Sequence, residues 1–289
     1  MSIWDDAMNH PRAPRRPALP HRSAATGSRL ATAVASLLVL SASALHGQDV
    51  DARSPNLSDG WVGEPSSARF NFNHRFWLVG GDPGERKVVN SPTMLLGFPL
   101  PGRLLVAGRY ASNSLVIPDT FNELEGFVRW APALAGPVGA AFTVAYNNAA
   151  ASLDGELSLR VGVGLPEAFP GDSIQILAAV RGLQDALGTG EPGWFAGAGL
   201  LVHLSPNVAL AADVGTLESD GLGELSNVGV DIREVWGAGL QLRIPTTPHT
   251  LSLHAANTST STLQGSSAGL RTVWGFEFTV PLTYARFLP

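Results

Sequence analysis

The chain of 289 residues contains no cysteine, and only 15% of its residues are charged. Without cysteine there is no disulfide framework, thiolate nucleophile, cysteine-ligated zinc site or lipid-modified cysteine. The formal net charge of −5 makes the chain a poor candidate for binding nucleic acid. After residue 47 there is no uninterrupted apolar run of about 18 residues, so the sequence predicts no transmembrane helix there.

Residues 1–47 have the pattern of a secretory signal with a long front end. Positive charge is supplied by Arg12, Arg15, Arg16, Arg22 and Arg29. An apolar run from Leu30 to Leu45 follows, and Ala42 and Ala44 offer a small-residue cleavage site. The alternative is a disordered tail with one apolar helix. We interpret the segment as an export signal, because it is too short and wrongly flanked for a membrane anchor.

The last stretch alternates large apolar residues with small, polar or charged ones. The apolar set is Trp274, Phe276, Phe278, Val280, Leu282 and Tyr284. A period of two indicates a strand with one apolar and one polar face. Aromatic residues near both ends are typical of the closing strand of an outer-membrane barrel, although the last strand of a soluble sandwich is an alternative.

Similar strand-like runs recur along the whole chain. They are residues 68–79, 92–99, 103–113, 122–131, 137–147, 154–164, 173–183, 194–204, 207–217, 234–244, 249–258 and 272–284. Most have about ten residues, which is the length that a tilted strand needs to cross a bilayer. Short and longer connections alternate, with one near-tie, as periplasmic turns and outer loops do. We therefore expect a transmembrane antiparallel up-and-down β-barrel of about twelve strands in residues 68–289, preceded by a periplasmic lead-in, 48–67, that reaches into the lumen or plugs it.

The polar faces of these strands carry the charged residues, which then line the lumen. The arginines are Arg75, Arg103, Arg109, Arg129, Arg160, Arg181 and Arg243, the acids are Glu123, Glu125, Glu156, Asp213 and Glu277, and the histidines are His203 and His254. An arginine on the lipid face would cost about 2–4 kcal/mol, which fixes the register. Two interpretations remain open. The charges form an internal ion-pair network that fills a narrow barrel, or they select small anionic solutes through an arginine surplus.

Three stretches resemble an uncharacterised bacterial family of outer-membrane β-barrel proteins with a His-Arg-Phe strand near its start. The first is 71–76, which contains His74, Arg75 and Phe76, and the second is 97–109. The third consists of 251–258 together with 274–278. The resemblance covers most of residues 68–287. It implies an outer-membrane barrel and no catalytic residues, and it makes His74, Arg75 and Phe76 family-marking residues without assigned roles.

His74 breaks the alternation, because it falls on the outward face among phenylalanines. We expect a bulge there, or an interfacial histidine bonded to a neighbouring strand; a ligand contact is the alternative. No serine, histidine and acid pattern of a barrel hydrolase stands out, so we expect no enzyme, catalytic residue, metal or cofactor.

The sequence therefore predicts a small outer-membrane channel or transport-associated barrel with a charged lumen. Its expected partners are outer-membrane lipid, the outer-membrane assembly machinery and small solutes. The alternative is a closed scaffold barrel whose outer loops, chiefly 218–233 and 259–271, bind a partner. We also expect the first and last strands to pair, Glu277 to contact Arg75 across that seam, and regular pairing to weaken near Pro281, which has no N–H to donate.

Overall fold

The computed structural model describes residues 53–58, 60–63, 67–80, 86–114, 122–165, 173–227 and 230–283. The predicted export signal (1–47) and the last residues, 284–289, lie outside these ranges. Twelve strands close into one antiparallel barrel. They are β1 Ser67–Val79, β2 Lys87–Leu100, β3 Leu104–Ser112, β4 Asn122–Trp130, β5 Val138–Asn147, β6 Ser152–Gly164, β7 Ser173–Leu183, β8 Gly193–Ser205, β9 Val208–Ser219, β10 Val235–Arg243, β11 Thr250–Ala256 and β12 Val273–Thr283.

Each strand pairs with its sequence neighbours, and β1 pairs with β12 to close the barrel. The seam register runs from Ser67 opposite Thr283 to Phe76 opposite Trp274. The predicted up-and-down barrel, its twelve strands and its closing seam are therefore confirmed. The prediction for Pro281 holds on one side only: the pairing of β12 with β11 ends at Thr279, whereas its pairing with β1 continues past Pro281.

The two rims of the barrel differ in their connections. One rim, which we call the short-turn end, carries both chain ends of the barrel and the tight turns 101–103 and 206–207. The opposite rim, the long-loop end, carries the long connections 220–234 and 257–272. The alternation is less regular than predicted, because the 148–151 turn at the long-loop end is shorter than the 131–137 connection at the other rim.

Helical structure is minor and lies at the long-loop end. A short helix, α1 (Leu222–Asn227), follows β9, and a single 3-10 turn, Ala186–Gly188, follows β7. Neither has the length and apolarity needed to cross a membrane, and the same is true of every helix in the described ranges.

The outer surface of the barrel is an apolar band. Its exposed members include Leu96, Val106, Leu124, Val144, Leu159, Ile176, Leu210 and Leu253. Water would disfavour a surface of this kind around the whole barrel, whereas hydrocarbon accommodates it. The strand register places the buried charged residues on the opposite, inner face, as the alternation predicts.

The substitution Leu159→Arg tests this outward face. Leu159 is 43% exposed and lies in the middle of β6. We expect the variant to lower the free energy of unfolding in lipid vesicles by about 2–4 kcal/mol, because a guanidinium would enter hydrocarbon. Denaturant titration of the folded barrel measures this, with Leu159→Met as the size-matched control. An unchanged midpoint for Leu159→Arg would contradict a lipid-facing position.

Candidate functional site: the barrel lumen

Most of the residues predicted to line the lumen are buried inside the barrel. These are Arg75, Arg109, Arg129, Arg181, Glu123, Glu125, Glu156, Asp213, Glu277 and His254. All lie on the inner face of their strands, as the alternation with a period of two predicted. Their role in solute selectivity remains a prediction.

Four predicted residues lie lower, towards the short-turn end. Arg160 and His203 are half-buried, and His203 Nε2 lies 3.3 Å from Gln175 Nε2. Arg103 and Arg243 are exposed at the rim, which corrects their placement within the lumen. Arg103 belongs to the turn before β3 rather than to the strand, with φ of 62°, and its Nε donates to Ala131 O.

The sequence interpretation missed two buried wall charges and one charge in the lead-in. Arg69 on β1 stacks its guanidinium over the Trp61 ring at 4.8 Å. Asp154 on β6 is buried and accepts a hydrogen bond from Gln264 Nε2. Arg53 of the lead-in forms an ion pair with Glu277. Arg69 and Asp154 share the inner parity of Arg75 and Glu156, so the alternation itself contained the signal.

The described residues of the lead-in, 53–58 and 60–63, lie inside the lumen, as one sequence alternative predicted. Near the short-turn end, the main-chain oxygen of Arg53 accepts a hydrogen bond from Gln241 Nε2. Asn56 lies deeper in the barrel, where its Nδ2 donates to Asp213 Oδ1. The chain then returns past Trp61, whose oxygen accepts from Arg129 Nη1 at 3.4 Å, to the start of β1. The lead-in therefore fills the lumen as a bent segment with its apex near Asn56.

A second segment fills the lumen from the long-loop end. Residues 258–268 of the connection between β11 and β12, which we call the lumen loop, fold inward and are almost entirely buried. Its Thr262 hydroxyl donates to Glu123, and its Leu263 N–H donates to Glu125 Oε2 at 2.6 Å. Because this loop is enclosed, the expectation that 259–271 offers an outer partner-binding surface is wrong.

Two arginines on different sides of the wall hold both segments together. Arg75 on β1 donates to Pro55 O of the lead-in at 2.9 Å and to Thr258 O of the lumen loop at 2.8 Å. Arg181 on β7 donates to Asn56 O at 2.9 Å and to the hydroxyls of Ser266 and Ser267. The two segments also touch directly, where the Thr258 hydroxyl donates to Asn56 Oδ1. Displacing one segment therefore removes contacts of the other.

Glycines in the wall make space for the lead-in. A Cβ built on Gly237 would lie 2.6 Å from Asn56 Nδ2, and one on Gly197 would lie 2.8 Å from Leu57 Cδ2. Such approaches are closer than side chains tolerate. At these two positions the lead-in therefore occupies the space that a wall side chain would take.

Ion pairs link neighbouring strands of the wall. Arg109 Nη1 lies 2.6 Å from Glu125 Oε1, and Arg181 Nε lies 2.7 Å from Glu156 Oε2. Among the described residues, the buried wall arginines are Arg69, Arg75, Arg109, Arg129 and Arg181, and the buried wall acids are Glu123, Glu125, Asp154, Glu156, Asp213 and Glu277. The expected arginine surplus is therefore not found in the buried lumen.

The predicted contact between Glu277 and Arg75 at the seam is wrong, because Glu277 has other partners. Glu277 faces the lumen opposite Asn73, as expected, but it accepts from Asn71 Nδ2 at 2.6 Å and Asn73 Nδ2 at 3.1 Å and pairs with Arg53. Within the described residues, Arg75 and Glu277 do not form an ion pair, because Arg75 is directed at the two filling segments.

His74 lies outward in a cluster of aromatic rings, not at a bulge. Its ring centroid is 4.3 Å from that of Phe76, 5.4 Å from Phe72 and 5.7 Å from Phe276. The pairing of β1 with both neighbours runs through His74 without a register shift. The expected bulge is therefore wrong, and the aromatic surroundings account for the outward histidine.

A cavity of about 480 Å³ remains beneath the lead-in at the short-turn end. Ser58, Gly60, Arg103 and Arg160 are among the residues that line it. Among described residues, the charges around this mouth are basic, whereas the acids Glu123, Glu125 and Asp154 lie towards the long-loop end.

No protein-family model matches the chain, and no curated protein matches its sequence. The resemblance to a His-Arg-Phe family therefore stays a prediction. Solved structures do match. One is the KdgM porin in complex with disordered oligogalacturonate, at 7% identity and a TM-score of 0.45, covering 75% of this chain and 99% of that chain.

Two further matches are similar in extent. An outer membrane channel from Pseudomonas putida F1 is 10% identical with a TM-score of 0.44, covering 76% of this chain and 96% of the other. LpxR from Salmonella typhimurium is 9% identical with a TM-score of 0.41, covering 74% and 99%. Similarities this distant carry no argument about activity. The expected absence of enzyme chemistry, metal and cofactor stays a prediction.

Proposed function

We propose that this protein is a gated outer-membrane channel for small polar solutes. In this proposal the short-turn end faces the periplasm, and the export signal of residues 1–47 delivers the chain there. The lead-in and the lumen loop hold the lumen closed, and the channel conducts when they leave it.

One observation carries the proposal: two segments of chain fill the lumen, and part of the wall beside the lead-in is made of small residues. Gly197 and Gly237 contact the lead-in, and Ala209 and Ala211 line the same side of the barrel. Large inward side chains of the wall, such as Arg75, Arg181 and Phe195, narrow the lumen as well. In this proposal the lead-in and the lumen loop close the passage that these side chains leave.

The closed scaffold barrel remains the second candidate. The satisfied contacts of Arg75 and Arg181 with both segments support it, because they stabilise the filled state. The enclosure of the lumen loop counts against it, since only the 218–233 loop is left as the predicted partner surface.

A disulfide lock distinguishes the two candidates, and the absence of native cysteine makes it specific. A Cβ on Gly60 of the lead-in would lie 3.5 Å from Ala141 Cβ of the wall, within the range of about 3.5–4.5 Å for disulfides. We expect Gly60→Cys with Ala141→Cys to show no conductance in planar bilayers when oxidised. Gly60 has φ of 68°, where a side chain is strained, so the reduced variant is the reference, and reduction should restore its channel openings.

The control is a lock within the wall itself. Gly97 and Ala107 are directly paired on neighbouring strands, and a Cβ on Gly97 would lie 3.3 Å from Ala107 Cβ, about 0.2 Å below that range. Gly97→Cys with Ala107→Cys therefore tethers only β2 to β3 after a small shift of the wall. Its conductance should not respond to oxidation. If the unmodified protein and both reduced variants never conduct, the scaffold is favoured and the channel is rejected.

A further inference from the structure

The apex of the lead-in is held through its main chain, by groups of opposite charge. The peptide group between Pro55 and Asn56 has its oxygen 2.9 Å from Arg75 Nη2 and its N–H nitrogen 2.9 Å from Asp213 Oδ2. The next carbonyl oxygen, that of Asn56, is 2.9 Å from Arg181 Nη2. The wall therefore binds both polar atoms of one peptide group and the acceptor of the next.

The lumen loop is bound in the same way. Leu263 N–H donates to Glu125 Oε2 at 2.6 Å, and Leu263 O accepts from Arg181 Nη1 at 3.4 Å. Arg75 Nη1 donates to the main-chain oxygens of Thr258 and Thr260 at 2.8 and 3.1 Å. Guanidinium groups thus bind carbonyls, and carboxylates bind N–H groups, in both segments.

These wall groups are buried and of both signs, so a solute of one charge would leave one set without partners. Leaving a buried charge unpaired is strongly unfavourable. A solute that carries carbonyl acceptors and N–H donors in alternation, with one terminal charge of each sign, satisfies both sets. Short peptides have this chemistry.

We propose that the opened lumen binds and passes short peptides. Their carbonyl oxygens take the places of Pro55 O and Asn56 O at Arg75 and Arg181, and an N–H group takes the place of Asn56 N at Asp213. The lead-in is then an internal competitor for the transported peptide. This inference rests on the proposed channel function.

The test uses the full chain with Asn56→Ala and Leu57→Ala. Asn56→Ala removes the side-chain bond to Asp213, and Leu57→Ala removes the contact beside Gly197. In proteoliposomes we expect this variant to take up trialanine about tenfold faster than sucrose or citrate, with saturation, because charge-assisted hydrogen bonds discriminate by at least this factor. Adding Asp213→Asn should remove the preference for trialanine over sucrose and citrate, because the carboxylate that takes the N–H group is then gone.

A second measurement uses the protein without substitutions. Trialanine at the short-turn side should increase channel openings in planar bilayers, and sucrose should not. Equal uptake of all three solutes, or a preference for citrate, would overturn the peptide inference while leaving the channel in place. If neither the protein without substitutions nor the variant conducts ions, the channel itself is rejected, and the peptide inference is rejected with it.

Discussion

If the barrel is the proposed gated channel, replacing Gly237 by valine is expected to raise its open probability about a hundredfold, since losing two hydrogen bonds to a carboxylate costs about 3 kcal/mol. The new side chain would occupy the position of Asn56 Nδ2, 2.6 Å from the Cβ, and of Pro55 Cβ at 2.8 Å. The lead-in must then leave Asp213. Gly237 has no left-handed backbone conformation, so the substitution adds bulk without imposing strain.

Single-channel recording measures this effect. The matched control is Gly126→Val, because a Cβ on Gly126 meets nothing within 4 Å and the residue lies on the outer face of β4. The control should behave as the unmodified protein does. An unchanged open probability for Gly237→Val in a correctly folded barrel would show that the lead-in does not gate the lumen.

The second large effect is expected at Arg181. Its Nε lies 2.7 Å from Glu156 Oε2, whereas the second cation beside Glu156, Arg129, has its Nη2 3.9 Å from Glu156 Oε1. Arg181→Ala leaves Glu156 without its close partner and removes the shared anchor of both filling segments. We expect the free energy of unfolding to fall by about 3–5 kcal/mol, as for other buried pairs that lose one member.

Denaturant titration in vesicles measures this loss of stability. A second substitution tests whether the unpaired charge of Glu156 causes it. Adding Glu156→Gln should recover part of the stability, because the unpaired charge is then gone. Arg243→Ala is the control, since this arginine is exposed at the short-turn rim and its loss should change stability by no more than about 0.5 kcal/mol. Equal effects of Arg181→Ala and Arg243→Ala would contradict the buried pairing.

The barrel was predictable from the sequence because the two sides of each strand face opposite environments. Leu157 and Leu159 alternate with Glu156 and Ser158 on β6, and the structure puts the leucines outside and the polar residues inside. A slip by one residue would place charges in lipid, so the register is strongly specified. The pairing of β1 with β12 follows from the same constraint once the strands are counted.

The filling of the lumen was less predictable, and the lumen loop shows why. Residues 258–268 are rich in serine and threonine, a composition that is typical of an exposed loop. Their burial depends on partners from distant strands, such as Glu123 for Thr262 and Arg181 for Ser266. Alternation along one strand places each of these groups inside, but it does not show which segment they bind.

The charge balance failed for a related reason. The prediction considered charges strand by strand and omitted Asp154, which lies on the same face as Glu156. It also left the lead-in out of the charge count, although Arg53 pairs with Glu277 inside the barrel. A buried set of charges approaches neutrality through all the segments that meet there, and a count over predicted wall positions alone misses these segments.

The position of Glu277 also has a consequence for the order of assembly. Its carboxylate takes hydrogen bonds from Asn71 and Asn73 of the first strand and pairs with Arg53 of the lead-in. The last strand must therefore be synthesised and paired with the first strand before Glu277 can pair with Arg53. Until then Arg53 cannot pair with Glu277, so this one contact of the lead-in forms only when the barrel closes.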